Sequence, residues 1–232
     1  MRCALLIFSL LGVFIAAWLS HPPHVLAPFA QANPSPAKVA AAPQYNSRFV
    51  SSQLTDFVHS SSVTALPGGD LMAVWFAGSR EGAADVQVRT ARFDARSGEW
   101  GGEQVLATRE STRDGTQRYI RKLGNPVIAL GPDKRLWMFY VSVSVGGWAT
   151  SAINVMVSDD LGANWSAPRQ LVTSPFFNIS TLVRAAPVFH ADGSIGLPVY
   201  HEFMGKFAEY LYLSADGAVI DKFRISRGKH SL

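Results

Sequence analysis

Cysteine is almost absent from this chain. Its one cysteine, Cys3, lies inside the N-terminal apolar segment. The sequence therefore predicts neither a disulfide nor a thiolate metal site in the folded region, which packing must stabilise. The six histidines include no pair at the spacing of a two-histidine zinc motif, so we predict no metal site among them. No cofactor is implied, and a structural cation stays open.

Charged residues are also scarce. They make up 16% of the chain, against roughly 25% in an average soluble domain. Aromatic residues make up 11%, and this balance favours strands over surface helices. The net charge of +4 comes from scattered basic residues, with one modest patch at Arg113, Arg118, Arg121 and Lys122. We expect no nucleic-acid partner, although the charge is compatible with an acidic ligand.

Long apolar runs are missing except at the N-terminus. Residues 3–18 follow Arg2 with the basic start and apolar core of a secretory signal. We assign residues 1–20 to a signal peptide or signal anchor and expect export, to the periplasm or as a secreted protein. A cleaved signal and a retained membrane anchor both stay open, because the nearest cleavage pattern, at 30–32, lies far downstream. Residues 21–48 are rich in Pro and Ala and read as an extended linker.

Three later segments can be superposed as an internal repeat. Each reads as an apolar strand, a tight turn containing Asp with Gly or Pro, and a second apolar strand. The copies begin at Ser61, Asn125 and Ala186. Third and fourth strands are predicted after each copy.

Four antiparallel strands recurring at this period are typical of a β-propeller blade. We predict an all-β propeller domain over 49–232, with about three blades and the rest of the ring in a longer protein. The predicted blades are 49–115, 116–178 and 179–232. The alternative is a β-sandwich built from hairpins.

An Asp box stands between the third and fourth strands of the second copy. Ser158, Asp160, Gly162 and Trp165 fit the pattern Ser-x-Asp-x-Gly-x-x-Trp. The Asp side chain is suited to accept backbone N–H groups, the Gly to a positive φ, and the Trp to packing under the hairpin. The motif is therefore expected to stabilise a turn and not to catalyse.

This motif on a blade-length repeat resembles the bacterial sialidase-like proteins with BNR (Asp-box) repeats. The similarity covers roughly 57–232 and is most characteristic in HSSSVTALPGGDLMAVWFAGSREGAADVQV, which begins at His59. The resemblance implies a six-bladed propeller with a central funnel, in which arginines bind the substrate carboxylate. It also implies an Asp acid/base and a Tyr nucleophile assisted by a Glu. That Tyr would lie beyond Leu232, so we expect this chain alone to be inactive.

The resemblance assigns site residues in the first copy. The family opens with Arg-Ile-Pro where 59–61 read His-Ser-Ser, which makes His59 a substrate-binding candidate or, alternatively, a strand-end residue bonded to a neighbouring blade. Arg80 matches a substrate-binding arginine. Glu81 is favoured over Asp85 as the catalytic acid. Alternatively, Arg80 and Glu81 are ordinary solvent-exposed residues of a loop without a role in the site.

The other two copies add further candidates. Arg184 begins the first strand of the third copy, and His201 with Glu202 ends its second strand, so all three could converge on the funnel for substrate binding and, for Glu202, catalysis. The alternative for Arg184 and Glu202 is a purely structural ion pair. Trp148 provides a stacking face for a sugar ring or a packing contact. Tyr200 lies at a strand position and is a poor substitute for the nucleophile.

The leading functional hypothesis is an exo-α-sialidase-like glycoside hydrolase acting on a terminal acidic sugar of extracytoplasmic glycans. Its expected partner is an acidic glycan or sialoglycoconjugate. One alternative is a non-catalytic carbohydrate- or protein-binding propeller, since fold does not fix function. Another is a polysaccharide lyase on a uronate glycan, with His59 or His201 as the base.

Overall fold

The computed structural model describes residues 2–20, 24–30, 45–51, 57–174, 178–203 and 205–226. Helix α1 spans Arg2–Ser20, and helix α2 spans Arg109–Thr116. The large apolar side chains described along α1 are exposed. Within the described ranges, no helix is both long enough and apolar enough to cross a lipid bilayer.

The described strands form three antiparallel sheets that follow one another along the chain. The first sheet contains β1 (Phe57–Ala65), β2 (Leu71–Gly78), β3 (Gln87–Asp94), β4 (Glu99–Trp100) and β5 (Gln104–Ala107). The second sheet contains β6 (Lys122–Leu130), β7 (Leu136–Val143), β8 (Ser151–Ser158) and β9 (Arg169–Gln170). The third sheet contains β10 (Leu182–Val183), β11 (Val188–Phe189), β12 (Ile195–His201), β13 (Phe207–Leu213) and β14 (Val219–Arg224).

Within each sheet the strands pair mainly in chain order, as in a propeller blade. The prediction of an all-β, propeller-type fold with three blades is confirmed. The described strands form three stacked sheets, whereas the alternative of a sandwich would have two. The first strand of the third blade differs from the expectation, because it is split into β10 and β11. Pro187, which lacks a backbone N–H, lies in the gap between them.

Burial on both faces of the second sheet holds the three blades together. All eight residues of β7 are buried. Met138 and Tyr140 belong to the core shared with the first sheet, whereas Trp137 and Phe139 belong to the core shared with the third. The alternation follows from the two-residue period of a strand. Each fully buried apolar side chain contributes about 1.5–3 kcal/mol.

The Asp box forms the turn that follows β8, and side-chain hydrogen bonds close it. One Asp160 carboxylate oxygen accepts the backbone N–H of Asn164 at 2.8 Å, and Ser158 Oγ accepts that of Gly162 at 2.8 Å. The Trp165 indole donates to the Gly162 carbonyl at 3.2 Å and packs against the core between the first two blades. Hydrogen bonds from Asn164 and Ser158 lower the pKa of Asp160 to about 2.

Two glycines in corresponding turns lie where a blade contacts the blade before it. Gly162 has a φ of +95°, and a Cβ added there would meet the flexible end of the Met72 side chain on β2. Gly217, in the third blade, has a φ of +79°, and its added Cβ would lie 2.6 Å from the rigid Trp137 ring on β7. Both positions favour glycine for its backbone conformation, and at Gly217 the neighbouring blade also leaves no space for a Cβ.

Residues 24–30, here called the strap, lie along the third blade. Phe29 forms an antiparallel bridge with His190, just after β11. The buried His190 ring has Nδ1 2.6 Å from the Ala27 carbonyl and Nε2 2.8 Å from the Tyr210 hydroxyl. Part of the stretch read as a linker is thus built into the sheet by backbone and side-chain contacts.

Residues 45–51 lie over the outer face of the first sheet. Arg48 donates from Nη1 to the Gly98 carbonyl at 2.6 Å. Val50 and Trp100 pack against the apolar cluster around Trp75, whose side chain is almost fully buried. The N-terminal part of the chain therefore covers apolar surface on the first blade as well as on the third.

We expect Gly217→Ala to lower the free energy of unfolding by about 2–4 kcal/mol, because the variant combines an unfavourable positive φ with overlap at the buried Trp137 ring. Gly98→Ala is the matched control: Gly98 also has a positive φ, +72°, but nothing lies within 4 Å of an added Cβ. It should lose about 1 kcal/mol. Urea unfolding measures both values. Equal losses would contradict a role for Gly217 in the contact between the second and third blades.

Asp160 should contribute to stability at mildly acidic pH. Its carboxyl has a pKa of about 2 in the folded chain and of about 3.9 in an unfolded chain. Its contribution is therefore complete above about pH 4 and is lost as the pH falls toward 2. We expect the unfolding free energy of Asp160→Asn to depend less on pH over this interval than that of the wild type, in denaturant titrations. Parallel pH profiles for wild type and Asp160→Asn would refute the assignment.

Candidate active site

A cleft of about 410 Å³ opens where the first strands of the three blades begin and their second strands end. All three blades contribute to it. Its lining consists of His59, Ser60, Ser61, Glu81, Asn125, Trp148, Leu182, Arg184, Tyr200 and Glu202. Five of the residues predicted from the sequence therefore lie around one space, namely His59, Glu81, Trp148, Arg184 and Glu202.

Two β-bulges lie in strands that border the cleft, one in β1 and one in β6. In β1 the register shifts between His59 and Ser62, so two residues lie opposite one residue of β2. An equivalent shift occurs in β6 between Gly124 and Val127. Ser60 has a φ of 55° and Asn125 has a φ of 44°, both in the left-handed region that non-glycine residues rarely adopt. Such bulges redirect side chains at the ends of strands, and both mark the edge of the cleft.

The third blade supplies the charged wall of the cleft. Arg184 is exposed and has no ion-pair partner among the described residues. Glu202 is half-buried, and its backbone N–H donates to Ser180 Oγ at 2.9 Å. Its carboxylate lies near the exposed Lys206, with Nζ 3.9 Å from Oε1. Opposite charges thus stand near each other at the mouth, each accessible to a ligand.

Tyr200 stands between these charges. Its hydroxyl accepts a hydrogen bond from Asn125 Nδ2 at 3.2 Å, which joins the second and third blades. Burial and the Glu202 carboxylate raise the pKa of Tyr200, and Arg184 and the Asn125 hydrogen bond oppose this only in part. The phenol therefore stays protonated at neutral pH and is a hydrogen-bond donor inside the cleft.

The first blade supplies the facing loop. Glu81 is exposed and lines the cleft. Arg80 and Asp85 do not line it. Asp85 accepts hydrogen bonds from the backbone N–H and the hydroxyl of Ser79, each at 3.0 Å. Desolvation raises the pKa of Asp85, but the Ser79 hydrogen bonds outweigh it and the pKa lies below its usual value. These contacts stabilise the loop, and the predicted substrate and acid roles of Arg80 and Asp85 stay predictions.

His201 does not join the cleft, contrary to the expected convergence. Its side chain is buried and its ring stacks on Phe207, with centroids 4.7 Å apart. Burial lowers the pKa of His201, with Lys222 acting in the same direction and Glu209 against it. The physical reason is strand alternation: Tyr200 faces the cleft, so the next side chain points to the opposite side.

Three further residues in or next to the cleft were not predicted as part of the site. Asn125 and Tyr200 line it. Lys122 lies behind it, with Nζ 4.0 Å from the centroid of the Trp148 ring. The only sequence signal was the polar Asn125 inside an otherwise apolar strand. Within the part of the chain that the structure describes, no three His, Cys, Asp or Glu side chains are grouped as metal ligands.

A family model described as "BNR repeat-like domain" matches residues 69–232, which is most of the chain. The chain belongs to this BNR repeat-like family. The predicted resemblance to sialidase-like proteins with BNR repeats is confirmed at the level of family and fold. No curated protein matches the chain.

Solved structures similar to this BNR repeat-like chain include sialidases and an arabinanase. The NanB sialidase from Streptococcus pneumoniae has a TM-score of 0.60 at 8% identity, covering 84% of this chain and 49% of that chain. The Hadza microbial sialidase Hz136 has a TM-score of 0.56 at 14% identity, covering 72% and 38%. The Penicillium chrysogenum alpha-L-arabinanase has a TM-score of 0.51 at 15% identity, covering 74% and 50%. The shared feature is the fold, and the chain spans half or less of each of these proteins.

Phenolate absorbance should report the charges around Tyr200 in this BNR repeat-like chain. We expect Glu202→Gln to lower the pKa of Tyr200 and Arg184→Ala to raise it, because the carboxylate destabilises a phenolate and the guanidinium stabilises it. Ultraviolet difference titration against Tyr200→Phe separates this residue from the other tyrosines. Shifts of the same sign in both variants would contradict the geometry.

Proposed function

We propose that this chain forms part of the substrate funnel of an exo-α-sialidase-like glycoside hydrolase. Its substrate would be the terminal acidic sugar of glycans outside the cytoplasm. The observation that carries the proposal is the cleft, because three blades place one guanidinium, two carboxylates and two aromatic rings around a space of about 410 Å³. A space of this size lies within the usual range of small-ligand sites.

Arg184 is proposed to bind the carboxylate of the sugar. It lines the cleft without an ion-pair partner among the described residues. A guanidinium offers paired N–H donors that match a carboxylate in a bidentate arrangement. The protonated Tyr200 hydroxyl and the amide of Asn125 would provide neutral hydrogen bonds to the same ligand.

Glu81 is proposed to transfer a proton to the substrate, and Glu202 is proposed to accept a hydrogen bond from a reacting group. Glu81, on the first blade, would donate a proton to the leaving glycosidic oxygen, which such chemistry requires. Glu202, beside Tyr200, would accept a hydrogen bond from a sugar hydroxyl or from the group that attacks the sugar. The family resemblance assigns the nucleophile itself to a later blade, so turnover is proposed for the complete propeller.

A second candidate function is sugar binding without catalysis. His59 stands where the family has its arginine, and its ring packs edge-on against Phe76 at 5.6 Å. At His59 the cleft therefore has no guanidinium that could bind a carboxylate through two N–H groups. A uronate lyase is less favoured, since His201, one of its two possible bases, is buried outside the cleft.

Calorimetric titration with N-acetylneuraminic acid, and with galactose as the neutral reference, tests the proposed ligand. We expect Arg184→Ala to weaken binding of the acidic sugar about 10- to 100-fold, because a hydrogen bond to a charged group contributes about 1.5–3 kcal/mol. Arg118→Ala removes the same charge at an exposed position outside the cleft lining and should leave affinity unchanged. Equal weakening in both variants, or equal affinity for galactose, would refute the proposal.

Fluorophore release from a 4-methylumbelliferyl sialoside by the full-length gene product separates the two candidate functions. Turnover that falls in both Glu81→Gln and Glu202→Gln supports a hydrolase. Binding of the acidic sugar with no turnover in the wild type favours the binding propeller.

A further inference from the structure

Lys122 lies next to the cleft and contacts two neighbouring parts of it, the Trp148 ring and the loop that contains Glu81 and Gly82. Its ammonium is 4.0 Å from the centroid of the Trp148 ring. Its side chain also passes over Gly82 in the first blade, where an added Cβ would lie 3.4 Å from Lys122 Cδ and 3.6 Å from Nζ. Gly82 directly follows Glu81. One lysine therefore links the loop that carries a cleft carboxylate to the indole that lines the same cleft.

The ammonium group of Lys122 contacts the indole ring of Trp148. Burial lowers the pKa of Lys122, the neighbouring Arg121 lowers it further, and Glu81 acts in the opposite direction. No carboxylate among the described residues forms an ion pair with Lys122. A cation over an aromatic face is attracted by the ring quadrupole, and the attraction grows when water is excluded. The contact with Trp148 and the nearby Glu81 carboxylate therefore both favour the charged form of a partly desolvated ammonium.

Trp148 is half-buried and lies in the turn between β7 and β8, after Gly146 and Gly147, whose φ values are 80° and 68°. It packs against the core shared by the second and third blades. The edge of its ring meets Gly124, where an added Cβ would lie 3.3 Å from the ring. Lys122 lies over the ring and connects it to the loop that carries Glu81.

We propose that Lys122 is a positioning residue for sugar binding, which holds the Trp148 ring and the Glu81 loop together as a wall that receives an acidic pyranose. The inference rests on the proposed function of the cleft. Lys122 does not line the cleft, so it acts through Trp148 and Glu81. Neither the repeat pattern nor the family resemblance assigns it a role.

Affinity for N-acetylneuraminic acid tests the role in binding. We expect Lys122→Met to weaken binding about 3- to 30-fold, which corresponds to the loss of a partly desolvated cation–π contact. Lys122→Arg should bind within about twofold of the wild type, because a guanidinium also stacks on an aromatic face. Lys134→Met is the control, since Lys134 is exposed in the turn between β6 and β7, at the other end of the same sheet. Urea unfolding of each variant checks that its fold is retained.

Trp148 fluorescence tests the contact without any ligand. The difference between wild type and Trp148→Phe isolates this indole, and its emission should change with pH as Lys122 loses its proton. The midpoint should lie below the usual lysine value of about 10.4, in the direction expected from burial. The transition should be absent in Lys122→Met and also in Lys122→Arg, because arginine keeps its proton in this range.

The two measurements separate the possible failures. Loss of affinity in Lys122→Met, with retained affinity in Lys122→Arg and the titration present only in the wild type, supports the positioning role. A wild type that titrates and binds normally, together with a Lys122→Met variant of unchanged affinity, overturns the inference and leaves the proposed function standing. A wild type that titrates but does not bind the acidic sugar overturns the proposed function, and the inference falls with it.

Discussion

The middle sheet is covered by apolar surface on both faces, and the rest of the structure depends on that packing. Alternate residues of β7 contribute to two separate cores, one with each neighbouring blade. Sheets stacked in this way hold their strand ends at one level. Polar residues at those ends then face a common space instead of the core. The cleft is therefore a consequence of blade packing, and Gly217 allows the third blade to approach the Trp137 ring of the second.

Much of this arrangement could be predicted from the sequence, because the information is repeated along the chain. Hairpin turns, apolar strands and the Asp box recur at a blade-length period and predict stacked antiparallel sheets. Superposing the copies also predicts which residues share one end of the blades. The family resemblance assigned His59 and Glu81, superposing the copies added Arg184 and Glu202, and all four line the cleft.

The remaining features have no comparable signal. The bulges at Ser60 and Asn125 put non-glycine residues at positive φ. Gly124 and Pro126 flank the second bulge and are residues typical of bulges, whereas nothing in the sequence around Ser60 marks an extra residue in the strand. Tyr200 was considered only as a poor substitute for the nucleophile, yet it lines the cleft and its neighbour His201 takes the buried side. The alternation of side chains along β12 shows that Tyr200 and His201 point to opposite sides, but not which of them points into the cleft. That orientation is set by contacts with other blades. Lys122 was seen only as part of a basic patch, although its nearest aromatic contact comes from a later turn.

The strap has a consequence for how the chain reaches its final structure. Ala27 and His190, which its hydrogen bond joins, are 163 residues apart in sequence. The strap is synthesised long before β11, yet its backbone bridge needs His190, just after that strand. Contacts between residues so distant in sequence slow the folding step that forms them, because a long loop must close first. The strap can therefore reach its final position only once this part of the third blade has formed.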